Sequence, residues 1–82
     1  KDLQLVGQAI ANQHQLSTLS PTELELLGVL FYLQGKLGRA LSGATKGKIP
    51  KLDTFNDIYV YSAMLGWRAD KAHSERTTND ED

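Results

Sequence analysis

Eighty-two residues bound the chain to one domain, small enough to bury only about 60–65% of the surface its unfolded form exposes. Nine basic residues against ten acidic ones give a formal charge of −1, which argues against a general nucleic-acid binder, and the lack of cysteine removes disulfides and thiolate metal sites. No apolar run reaches the ~18–20 residues that cross a bilayer and no secretory leader pattern is visible, so no membrane association and a cytoplasmic location are expected.

A first helix is expected from about Asp2 to His14. Leu3, Val6, Ala9 and Ile10 recur at three-and-four spacing, with Asp2 as N-cap. It reads as a packing helix without chemistry of its own. His14 and His73 stand in different segments and do not suggest zinc.

The second helix has a strong start signal. Ser20-Pro21-Thr22-Glu23 forms a capping box with proline at the first helical position. Leu24, Leu27, Leu30, Phe31, Leu37 and Leu41 carry the helix to a stop near Ser42-Gly43, and Leu26 and Leu33 widen its apolar stripe. Gly28, Gly35 and Gly38 each cost about 1 kcal/mol against alanine, which points to close approach by another backbone or a ligand. Residues 43–52 read as a loop, with two glycines, Pro50, and Lys46, Lys48 and Lys51.

A third helix is expected from Asp53 or Thr54 to about Arg68. Phe55, Ile58, Tyr59, Val60, Tyr61, Ala63, Met64, Leu65 and Trp67 make it apolar nearly all round, which marks a buried central helix, expected to be covered in part by another subunit. From Asp70 onward no large apolar residue occurs, so residues 70–82 are expected to form a polar, unstructured tail behind a helical domain of residues 1–69. The fold class expected is all-α, a small antiparallel bundle of about three helices completed by homo-oligomerisation.

Two segments bear chemistry. Lys36 and Arg39, three residues apart, share a helix face with Glu25 and Tyr32, next to the lysine loop. Asp53 and Asp57, four apart, share a face at the start of the third helix. Cations beside paired acids suit a polyphosphate and its metal. A structural reading stands beside this one. Asp53 would cap its helix, and Asp57, entering an apolar helix, would be neutralised by Lys36 or Arg39.

At Leu19-Ser20-Pro21, Lys36 to Arg39, and Asp53 to Ala63 the chain resembles the phage-type branch of the all-α nucleoside triphosphate pyrophosphatases, the MazG-like proteins. The resemblance implies magnesium-dependent conversion of a nucleoside triphosphate to the monophosphate and pyrophosphate. It implies Asp57 as a metal ligand, Asp53 as a second ligand or water-orienting catalytic acid, and Lys36 and Arg39 as phosphate-neutralising residues. Lys46 and Lys48 join the candidate substrate-binding set by their place in the adjoining loop. The family's Glu-Glu-x-x-Glu motif is absent: Glu23 and Glu25 have the wrong spacing, and Thr54 stands where members commonly carry an acid. The alternative is a catalytically silent helical interaction protein, such as a small phage regulator that binds a host protein. A nucleic-acid binder using Arg39, Lys46, Lys48 and Lys51 is the weakest reading.

Overall fold

A computed structural model describes residues 2–80, with the side chains of residues 2–77. It is all-helical. Helix α1 spans Leu3–Gln13, α2 spans Pro21–Ala44 and α3 spans Leu52–Asp80, in a body extending 54 × 25 × 21 Å. Both α1 and α3 pack on α2 and not on each other, so α2 is the spine.

Asp2 stands at the N-cap position of α1, but its side chain makes no capping hydrogen bond. The helix closes with Gln15 in the left-handed region, at φ 59°, which lets the Leu16 amide donate back to the Ala11 carbonyl at 2.9 Å. The start of α2 follows its sequence signal. The Glu23 amide donates to Ser20 Oγ at 3.1 Å and the Ser20 amide to Glu23 Oε1 at 3.0 Å, with Pro21 at the first helical position.

α1 lies close on α2 because two glycines permit it. A Cβ on Gly7 would collide with the Leu24 carbonyl, and one on Gly28 with the Leu3 carbonyl. The backbones therefore touch where side chains would normally hold helices apart. Of the three glycines flagged in α2, this reason applies to Gly28. At Gly35 a Cβ would meet only the tip of Arg39, and Gly38 faces open space.

The seam between α2 and α3 has heptad-like spacing on both helices. On α2 the positions turned to α3 include Thr22, Leu26, Val29, Leu33, Lys36, Ala40 and Gly43, all buried or half-buried. On α3 the matching stripe runs through Thr54, Asp57, Tyr61, Met64, Arg68, Ala72 and Glu75. Polar contacts fix an antiparallel register along it. Lys36 Nζ meets Asp57 Oδ2 at 2.6 Å, Arg68 Nε donates to Glu25 Oε1 at 3.1 Å, Thr22 Oγ1 donates to Glu75 at 3.3 Å, and Arg76 pairs with Glu23.

Three expectations change here. The third helix, expected to be buried and central, packs on α2 alone and leaves Phe55, Tyr59, Val60 and Trp67 exposed, because α2 takes the central place. α3 begins at Leu52, so Asp53 sits inside the first turn rather than capping it. The helix also continues through residues 70–80, where an unstructured tail was expected; residues 81 and 82 lie outside the described part. The reason is that α2 reaches back to Pro21, so α3 still has a partner at its C-terminal end. Small Ala69 and Ala72 and the Glu75 and Arg76 contacts replace the large apolar residues whose absence suggested disorder.

Glu25 connects all three helices, accepting from Gln4 Nε2 of α1 at 2.9 Å and from Arg68 of α3. The Gln4 hydrogen bond and the Arg68 charge hold its carboxyl below the ordinary glutamate range, against the opposing effect of burial. Arg76, and then the Ser20 amide, lower Glu23 in the same way.

Two predictions follow from this packing. Gly28→Ala should destabilise the chain by about 1–3 kcal/mol, as an overpacked contact does. Gly38→Ala, facing open space, should stabilise it by up to ~1 kcal/mol. Urea melts of both variants check the opposite signs. Because the Glu23 and Glu25 pKa values are lowered on folding, the stability they supply is complete above the unfolded value of about 4.3 and is lost as pH falls through the folded values. Glu25→Gln should therefore flatten the acid limb of a stability–pH profile, while an unchanged limb would contradict this assignment.

Candidate functional site

The end of α2, the loop and the start of α3 form the candidate site. Two backbone features shape the loop. The Lys48 amide donates to the Gly43 carbonyl at 3.0 Å and the Gly47 amide to the Ala44 carbonyl at 3.0 Å, with Gly47 in the left-handed region at φ +86°. This is the Schellman pattern, in which glycine is favoured because a Cβ is strained at that φ. The reversal turns Lys48 back towards Gly43, with its Cβ 3.8 Å from where a Gly43 Cβ would lie. Lys46, one residue before the turning glycine, is left exposed on the outside.

The result is an open concavity of about 370 Å³. Lys36 and Arg39 line it from α2, Lys48 and Lys51 from the loop, and Thr54 from the first turn of α3, with Ile49 and Pro50 as an apolar wall. Four cations therefore share one hollow beside a helix N-terminus, whose dipole also favours an anion. No aromatic ring and no side-chain amide lines it.

The acids are placed differently. Asp57 is bound to Lys36 across the seam, so the structural reading of Asp57 describes its partner in the folded chain. The side chains are 28% and 49% exposed, so such a pair contributes about 0–1 kcal/mol to stability. Asp53 stands one turn earlier on the same stripe, exposed and outside the lining of the concavity. Of the sequence-derived site residues, Lys36, Arg39 and Lys48 converge, Asp57 joins them through Lys36, and Lys46 and Asp53 remain outside the hollow.

No protein-family model, curated protein or solved structure matches the chain.

The donor set does not suit a magnesium ion resident in the single chain. Magnesium takes six oxygens in octahedral array. Here one carboxylate already holds an ammonium group, and among the described residues no three acidic, histidine or cysteine side chains gather into a metal-holding group.

The sequence places Lys51 only in the nucleic-acid reading and Thr54 only as a departure from the family's acid, and neither as a phosphate-site residue. The signal available for both was their position at the start of α3, where side chains face the preceding loop. Arg68 was also missed as a partner of Glu25. Glu25 shares a face with Tyr32, Lys36 and Arg39 but lies about three turns from Lys36, where Gln4 and Arg68 engage it.

A second concavity of about 270 Å³ lies at the opposite end of the molecule. Leu16, Leu19, Leu26 and Leu27 form its apolar floor, and Glu23 and Arg76 close its rim.

Proposed function

We propose that the chain binds the polyphosphate of a nucleoside triphosphate in the cationic concavity, and that the reaction served is release of pyrophosphate from that nucleotide. The observation that supports this reading is the convergence of Lys36, Arg39, Lys48 and Lys51 on one open hollow in a chain of net charge −1. A chain with no surplus of cations that gathers four of them in one place has an anionic ligand to accommodate. The MazG-like resemblance supports the choice of a triphosphate among anions.

Each residue then has a role that its position allows. Arg39, which lines the concavity from α2, carries a planar guanidinium suited to two phosphate oxygens. Lys48 and Lys51 act as point charges from the loop side. Lys36 divides its charge between the phosphates and Asp57, so Asp57 sets how much of that cation the ligand obtains. Magnesium belongs in this reading to the nucleotide, as the counter-ion of its phosphates, and not to a cage within the chain.

A specific observation favours the interaction-protein reading as well: Leu52, Phe55 and Tyr59 are exposed on the outer face of α3. That face is separate from the concavity, and the two readings divide cleanly by assay.

Calorimetric titration of inorganic tripolyphosphate without metal tests the binding step, and pyrophosphate release from a panel of triphosphates with magnesium tests the reaction. Arg39→Ala should weaken tripolyphosphate binding roughly 10–100-fold, the loss of a charge-assisted contact worth about 1.5–3 kcal/mol. Asp57→Asn should tighten metal-free binding by freeing Lys36. Absence of both binding and turnover would overturn the proposal in favour of the interaction reading.

A further inference from the structure

Ile49 is the most exposed large apolar side chain among the described residues, at 91%, and Leu52, three residues on, is 75% exposed. Isolated apolar side chains on a surface need no explanation. These two differ in their neighbours and in their place. Lys46, Lys48 and Lys51, all exposed, are interleaved with them, and Asp53 is the single acid in residues 43–54. Gly47, at φ +86°, sets the chain reversal between Lys46 and Lys48, so lysines flank the turn on both sides.

Their place is the tip of the molecule. α2 and α3, of 24 and 29 residues, run antiparallel, and the 54 Å axis of the body lies along them. The loop that joins them therefore caps one extremity. α1 is remote from it, packing on α2 through Leu24 and Gly28. A flat surface can thus meet Ile49 and Leu52 without meeting α1.

We propose that this tip is a peripheral contact for an anionic lipid bilayer. Ile49 and Leu52 enter the boundary between headgroups and acyl chains, and the lysines around them lie among the lipid phosphates, whose charge they complement. The two apolar side chains protrude at a turn, which a fluid boundary accepts without shape complementarity. They fall far short of the roughly 800 Å² per partner that a stable protein interface buries. A nucleic acid would satisfy the lysines, but residues 43–54 hold no aromatic ring to stack on a base, and Ile49 and Leu52 would gain nothing there. The expectation of no membrane association rested on the lack of a crossing segment and a leader, and a surface contact uses neither. Among the described residues no helix is long and apolar enough to cross a membrane. Lys46 and Leu52 lie outside the cationic hollow, so the contact does not depend on what the hollow holds.

Co-sedimentation of the full chain with vesicles tests this. The chain should pellet with mixed phosphatidylcholine–phosphatidylglycerol vesicles and stay in solution with phosphatidylcholine alone. Leu52→Ser should weaken partitioning roughly tenfold and Lys46→Gln roughly fivefold. Both variants should keep tripolyphosphate binding, because neither residue lines the hollow. The chain contains no cysteine, so a polarity-sensitive dye on Ile49→Cys should shift to the blue with the mixed vesicles, whereas the dye on Gln13→Cys in α1 should not. No pelleting with the mixed vesicles, undiminished pelleting of Leu52→Ser, or equal dye shifts at residues 49 and 13 would overturn the proposal and return Leu52 to the protein-contact reading. Tripolyphosphate binding is read separately, so failure here is distinct from failure of the nucleotide reading.

Discussion

The architecture depends on one matched spacing. Glu25 and Lys36 are eleven residues apart on α2, and Asp57 and Arg68 are eleven apart on α3, with the charges in complementary order for an antiparallel pair. Both ion pairs therefore form together in a single register. Sliding α3 to bring Arg68 opposite Lys36 would set like charges together and leave Glu25 and Asp57 without these partners. Each pair contributes little energy at its level of exposure. Their combined effect is to fix which of several similar apolar alignments is adopted, a question that leucines repeated at helical spacing leave open.

That register also composes the candidate site. With Lys36 held across from Asp57, the end of α2 meets the beginning of α3, and the loop between them must reverse over a short distance. The Gly47 turn achieves this and returns Lys48 to the hollow that already holds Arg39. The charge distribution follows from the same arrangement: ionised residues lie at the ends of the hairpin, and its middle is uncharged. One end of the protein thus gathers the cations of the candidate site.

Much of this was legible in the sequence. The capping box at Ser20 and the apolar periodicity gave the helices, and the lysine loop between Lys36 and Asp57 gave the hairpin. The extent of α3 was not legible, because residues 70–80 are held by Ala69, Ala72 and polar partners on α2 that hydropathy does not register. Glu25 does share a helix face with Tyr32, Lys36 and Arg39, but it stands about three turns from Lys36 and is taken by Gln4 and Arg68, which spacing around the helix does not register. Lys46 and Lys48 differ only in their side of a left-handed glycine, which composition cannot reveal. The matched spacing of eleven was present in the sequence and legible with the expected antiparallel hairpin, but the partner of Glu25 was not sought on the third helix.

The central claim is that the anion is received at the α2–α3 junction. Amide chemical-shift mapping during a tripolyphosphate titration tests it most directly. The account predicts perturbations concentrated at Lys36, Arg39, Lys48, Lys51 and Thr54, diminishing as salt is raised. Shifts centred on α1 or on the Leu16–Leu27 hollow, or none at all, would contradict it.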